Sequence, residues 1–215
     1  MKHEIFLVHN FIKSFLLDFP RWDLHLLEKL NLHHAPTWDA AMNIITYSAA
    51  YVSILIPLIC FYVAFRQKDA YIRIKAWFVI SCLVTASLCS WSLKNIVQRP
   101  RPWHTYAFIE KKTSGGGWSF PSGHTTGAFA VAFSMSIAFR RKRWMMPVLL
   151  GWASVVGYSR MDLGVHYPSD ILGGICIAAL VVGLNYIFFK KAFQRYQDNM
   201  WKYNIVKSDP PDLQS

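Results

Sequence analysis

Five stretches of this chain are apolar and almost free of charge: Ala40–Phe65, Ile74–Leu93, Gly123–Phe139, Trp144–Tyr158 and Ile171–Phe189. A helix that crosses hydrocarbon needs roughly 20 apolar residues, with about 17 to 25 the usual range. The first, second and fifth stretches qualify outright. The third and fourth are short and must borrow residues from the polar segments beside them. The expected fold class is therefore all-α, a polytopic membrane helical bundle of five to six transmembrane helices. A length of 215 residues suits one domain, placed at 40–192, with an N-terminal segment at 1–39 and a C-terminal tail at 193–215.

Charge orients the bundle. The net charge of +11 would suit a nucleic-acid binder, but its distribution argues against that class. Arg66, Lys68, Arg73 and Lys75 lie between the first two spans, Arg140, Arg141, Lys142 and Arg143 between the third and fourth, and Lys190, Lys191, Arg195 and Lys202 after the fifth. With five spans these clusters share one side, which the positive-inside rule makes cytoplasmic. A nucleic-acid surface would need them on one folded face with no membrane between, so the expected partner is the membrane. The four cysteines, Cys60, Cys82, Cys89 and Cys176, sit inside apolar runs without paired spacing, so neither a disulfide framework nor a metal site is indicated.

The ends of the chain are less regular. Glu4–Leu17 is apolar but interrupted by His9, Asn10 and Lys13, and too short to cross. After Pro20, Leu26, Leu27 and Leu30 recur at helical spacing with Asp23, Glu28 and Lys29 between them, the pattern of an amphipathic helix in the membrane interface. A tilted sixth span over Ile5–Phe19 is the alternative. Asn95–Phe120 holds Pro100, Pro102 and Gly115-Gly116-Gly117, so it reads as a loop, and Trp91, Trp103 and Trp118 around it suit an aromatic belt. Beyond Tyr203 the chain turns polar and reads as a mobile cytoplasmic tail.

Three polar motifs interrupt the apolar pattern, all on the side opposite the basic clusters. The first is Lys94 with Arg101-Pro102, the second Pro121-Ser122-Gly123-His124, the third Ser159-Arg160 with His166 and Asp170. Ser122 directly precedes an apolar helical run, where a hydroxyl caps a helix. Gly123 lets a ligand approach the backbone, and the first-turn N–H groups with the helix dipole favour an anion. Pro168 suits a first helical position, which puts Asp170 in the first turn with its carboxylate able to reach back to His166. A carboxylate on one imidazole nitrogen fixes the tautomer and makes the other more nucleophilic. Each feature has a plainer reading: a helix start, a capping Asp beside an unrelated His, or cations that snorkel to the interface. Those readings explain less well why Lys94, Arg101 and Arg160 share a side with both histidines. Arginine suits bidentate contact with phosphate oxygens, and lysine a point contact.

The pattern Lys-x6-Arg-Pro, Pro-Ser-Gly-His, Ser-Arg-x5-His-x3-Asp resembles the signature of the type 2 phosphatidic acid phosphatase superfamily at every position over Lys94–Asp170. The six-residue gap selects Arg101 over Arg99, leaving Arg99 as a helper or a surface charge. Asp162 has no role in the pattern. The resemblance implies a phosphatase without cofactor or metal, acting on a lipid phosphate at the outer face of a bacterial inner membrane. It implies His166 as nucleophile, Asp170 as its orienting carboxylate and His124 as acid and then base. Lys94, Arg101, Arg160, Ser122 and Gly123 would hold the phosphate oxygens. No carboxylate cluster suited to Mg²⁺ is present. Among bacterial members of similar length, undecaprenyl diphosphate phosphatases are the expected type, ahead of phosphatidylglycerophosphate, phosphatidic acid and lipid A phosphatases. His104, Lys111 and Lys112 are candidates for a second phosphate. A lipid phosphotransferase using the same histidine and a non-catalytic lipid-binding protein are the rival classes.

Overall fold

The computed structural model describes residues 21–31, 34–67 and 69–208. The expectations for Glu4–Leu17 and Ile5–Phe19 lie outside them. The elements are α1 (Arg21–Leu30), α2 (Pro36–Gln67), α3 (Ala70–Val97), a one-turn α4 (Pro102–Thr105), α5 (Gly123–Ala138), α6 (Met145–Asp162) and α7 (Pro168–Ser208). Among the described residues three stretches are long and apolar enough to cross a membrane: Pro36–Gln67, Ala70–Thr105 and Pro168–Tyr196. α5 and α6, at 16 and 18 residues, are the two short ones. α7 continues as helix to Ser208, past the point where the sequence suggests a mobile tail.

α5 is the axis of the bundle, and α2, α3, α6 and α7 all pack on it. Its sequence explains why. Ala128, Ala130, Val131 and Ala132 are fully buried on several sides of the helix, and a helix that is apolar all round belongs inside. Small side chains also let neighbouring backbones come close where lipid gives little hydrophobic drive. Around it α6 touches α2, α2 touches α3 and α3 touches α7, while α1 packs against both α6 and α7. Large apolar side chains such as Ile54, Phe65, Leu88, Leu180 and Phe188 face outward, as a lipid-bathed surface requires. Cys60 and Cys82 are buried, but Cys89 and Cys176 lie on that outer surface. An apolar run alone does not tell a thiol inside the bundle from one on its outer surface.

The basic clusters gather at one end. Lys75 lies within electrostatic reach of Arg140, Arg141 and Lys142, and its ammonium sits 4.7 Å from the Phe139 ring centre. A largely apolar cavity of about 690 Å³ opens at this end, with Phe133, Ile137, Arg140 and Lys190 in its wall. The polar motifs meet at the other end, where helix stops and starts have visible causes. α3 ends at Gln98 in the left-handed conformation, its N–H on the Lys94 carbonyl, and Pro100 follows. Ser122 caps α5, as the sequence predicts. At the start of α7, Asp170 takes the Tyr167 N–H at 2.9 Å, the reach-back half of a capping box.

Candidate active site

The turn from α6 to α7 places the imidazole of His166. Val165 N–H and His166 N–H both return to the Arg160 carbonyl, at 3.1 and 3.3 Å. Gly164 makes this possible with φ +72°; a Cβ there would stand 2.0 Å from the Glu110 carbonyl oxygen. Asn31 clips the same region, donating to the carbonyls of Glu110 and Asp162 and accepting the Glu110 N–H. His166 is thereby buried, 1% exposed.

The Asp170 carboxylate has four partners at this end. Its Oδ2 lies 3.2 Å from His166 Nδ1 and also accepts from the Ser119 hydroxyl and the Tyr167 N–H. Its Oδ1 accepts from Arg99 Nη1 at 2.8 Å. Arg101 Nη1 lies 3.4 Å from the other imidazole nitrogen, Nε2. Burial pushes the imidazole pKa down to about 3; Asp170 pulls the other way, and Arg101 and Arg160 add to the lowering. A neutral imidazole is what a nucleophilic histidine must be.

The three expected phosphate cations converge without being neutralised. Lys94 Nζ donates to the carbonyls of Trp118 and Ser119, at 2.9 and 3.2 Å. Arg101 donates to the carbonyls of Gly116, Gly117 and Val165, so the triple-glycine loop wraps this guanidinium. Arg160, 2% exposed, gives Nη1 to Thr46 Oγ1 at 2.7 Å, and its Nε has no partner. Among the described residues none of the three forms an ion pair. Dipoles hold them and carboxylates do not, so a net positive pocket remains. All three lie within electrostatic reach of His124, whose side chain makes no hydrogen bond among the described residues. An anion is what such a buried, unbalanced set lacks.

Ser122 and Gly123 stand at the rim of this cluster. Ser122 Oγ accepts from Thr125 Oγ1 at 2.9 Å and from the Thr125 N–H, so its first duty is the cap. Gly123 is exposed beside Lys94, whose Cε would lie 3.9 Å from an added Cβ. As the first two residues of α5, Gly123 and His124 have no intrahelical acceptor for their N–H groups, leaving donors beside the cations.

Some expectations change. Arg99 is 6% exposed and bonded to two carboxylates, so it is a helper and not a surface charge. Asp162 is fully buried and ties α2 to α6 through Trp38 Nε1 and His34 Nε2, each at 3.2 Å. Asp23 is 2% exposed, not part of a solvated polar face. Lys112 pairs with Asp39 at 3.3 Å, Lys111 lies over the Trp103 ring, and His104 stacks on the same ring. Ser119 and Thr46 were not legible as site residues. Ser119 sits three positions before Ser122 with no pattern to mark it, and Thr46 is one hydroxyl in a long apolar run.

The chain is also similar to known proteins over most of its length. The chain is 28% identical over 187 residues to a lipid A 4'-phosphatase of Bacteroides thetaiotaomicron, covering 82% of this chain and 81% of that one. It is 29% identical over 171 residues to the undecaprenyl-diphosphatase BcrC of Bacillus subtilis, covering 77% and 82%. In fold it is similar to a transmembrane PAP2-type phosphatidylglycerolphosphate phosphatase of Bacillus subtilis, with TM-score 0.68 at 23% identity over 87% of this chain and 95% of that one. The PAP2 superfamily model matches residues 75–194, more than half of the chain and all three motifs. The protein is therefore a member of the PAP2 superfamily of membrane lipid phosphatases, hydrolases of lipid phosphate esters.

Proposed function

We propose that this protein removes the phosphate of an envelope lipid through a phosphohistidine on His166. What carries the reading is the trio of buried cations without ion pairs, gathered around a neutral imidazole whose Nε2 lone pair faces Arg101. Nε2 attacks phosphorus in line with the lipid oxygen, the N–P bond forms, and the O–P bond breaks. His124 gives its proton to the departing lipid oxygen. His124 then takes a proton from water, the water oxygen bonds to phosphorus, the N–P bond breaks, and inorganic phosphate and neutral His166 are left. Lys94, Arg101, Arg160, the Gly123 N–H and the Ser122 hydroxyl stabilise the equatorial oxygens in both halves. Asp170 balances the positive charge that His166 gains on phosphorylation.

The substrate we favour is a lipid phosphomonoester of the lipid A type. The similarity to a lipid A 4'-phosphatase supports it, and so does the loop beside the site. With Lys112 paired to Asp39 and Lys111 over Trp103, that loop offers little for a second phosphate. Undecaprenyl diphosphate is the second reading, supported by the similarity to a diphosphatase of that lipid. We further take α2, α3, α5, α6 and α7 as five spans. The basic end then faces the cytoplasm and the site faces the exterior or periplasm of a bacterial inner membrane.

Phosphate release by the purified, detergent-solubilised protein in excess EDTA tests this. The panel is a lipid A, undecaprenyl diphosphate, phosphatidylglycerophosphate and phosphatidic acid. Preferred turnover of lipid A supports the reading, and preferred turnover of undecaprenyl diphosphate moves it to the second. His166→Ala should remove turnover while the helix content stays. Release at the wild-type rate from that variant, or dependence on an acceptor lipid, would overturn the hydrolytic phosphohistidine route.

A further inference from the structure

α1 lies wholly outside the segment matched by the family, yet it reaches the catalytic pair. Asp23 Oδ1 accepts the Ser169 N–H at 2.8 Å. Its Oδ2 accepts the Ser169 hydroxyl at 2.6 Å and Arg99 Nη2 at 2.7 Å. Arg99 Nη1 donates to Ser169 Oγ at 2.6 Å and to Asp170 Oδ1 at 2.8 Å. The guanidinium carbon sits 3.8 Å from the centre of the Tyr167 ring. Asp23, Arg99, Ser169 and Asp170 are each no more than 6% exposed. A chain of buried charge thus runs from α1 through Arg99 to the carboxylate that holds His166.

We propose that Asp23 is a positioning residue for the His166–Asp170 pair, a role that rests on the phosphohistidine reading above. Two effects follow from the geometry. Asp23 clamps Arg99 and the first turn of α7 together, so Asp170 meets Nδ1 in one orientation. It also shares the charge of Arg99. One guanidinium between two carboxylates leaves a net negative charge, whereas Arg99 facing Asp170 alone would cancel it. That residual charge counts most when His166 carries phosphorus and becomes cationic. Both Asp23 oxygens are committed to Ser169 and Arg99, so the residue acts on the chemical step and not on phosphate binding. The competing view is that Asp23 only docks α1. Leu27, fully buried on the same helix against Ile109 and Tyr167, is the control for docking.

The test compares Asp23→Asn, Asp23→Glu and Leu27→Ala in the full-length protein, using whichever lipid of the panel the wild type turns over. Asp23→Asn should lower kcat by about 10- to 100-fold, as losses of partners behind a catalytic group do, with KM within about twofold. Asp23→Glu should recover part of the loss. Asp23→Asn placed on Arg99→Met should add little, because the two act as one unit. An unchanged kcat in Asp23→Asn, or an equal kcat loss from Leu27→Ala, would overturn the role. Should the wild type release no phosphate, the phosphatase reading fails separately. Asp23 is then judged by ¹⁵N-histidine spectra, where Asp23→Asn must shift the His166 Nδ1 signal and Leu27→Ala must leave it in place.

Discussion

Arg101 Nη1 stands 3.4 Å from His166 Nε2, the ring nitrogen that Asp170 does not touch. A guanidinium can only donate, so Nε2 must present its lone pair, and the ring proton sits on Nδ1 facing Asp170. The nitrogen proposed as the nucleophile therefore faces a guanidinium, a group suited to phosphate oxygens. On the proposed mechanism, one contact serves both substrate binding and nucleophile orientation.

The ionisation of His166 can be checked directly. Its folded pKa is lowered to about 3, so the neutral form prevails above that value. At pH 5 an unperturbed imidazole would be only about 3% neutral, whereas this one stays neutral. A ¹⁵N-histidine titration of the ligand-free protein should show no step near pH 6.5 that disappears in His166→Ala. Such a step would contradict the buried, neutral nucleophile.

His124 as proton donor is open to a leaving-group experiment. His124→Gln should lose about 10²- to 10⁴-fold in rate with a lipid phosphomonoester. With p-nitrophenyl phosphate, whose phenolate departs without a proton, the loss of phosphoenzyme formation should be much smaller. Equal losses on both substrates would deny His124 the acid role.

Arg160 sets activity against stability. It is buried, and among the described residues its Nε has no partner and it forms no ion pair, so the empty protein bears the desolvation cost of the cation. Arg160→Met should cost roughly 10²- to 10³-fold in kcat/KM. It should also raise the melting temperature of the ligand-free protein by a few degrees. Scanning fluorimetry beside a phosphate-release assay reads both, and a lower melting temperature would show that the Thr46 bond and side-chain packing outweigh the desolvation cost.

Gly164 has no tolerated replacement on geometric grounds. With φ +72° and a Cβ position 2.0 Å from the Glu110 carbonyl oxygen, Gly164→Ala meets both strain and collision. It should destabilise by more than about 1 kcal/mol and lower kcat, since His166 lies two residues on. Thermal unfolding with wild-type activity retained would show that the turn can rearrange freely.

Much of this was legible in the sequence, for stated physical reasons. Long uncharged runs fix which residues are helical, and the Pro-Ser-Gly-His segment marks the start of α5 because a cap and a glycine can be recognised locally. Lys94, Arg101, Arg160 and His124 come within electrostatic reach of one another because helix polarity alternates and brings those ends together. Burial and partner choice were not legible. Arg99 and Arg101 look interchangeable as text, yet one lies between Asp23 and Asp170 while the other is wrapped by glycine carbonyls. Asp23 looked like the wet side of an amphipathic helix, because nothing in α1 records what will cover it. The role of Ser119 depends on a loop folding back over α7, and no periodicity encodes a loop.

On the proposed mechanism, the same three cations that grip a reacting phosphate would have no means of telling it from the inorganic phosphate left at the end. With no carboxylate paired to them among the described residues to replace the departing dianion, each turnover would finish with the pocket holding its own product. Escape requires water to solvate both partners at once. With the site facing outward as proposed, abundant external phosphate would throttle the enzyme, and scarce phosphate would let it run freely. The pocket would then release phosphate fastest under the very conditions in which a cell has most use for it.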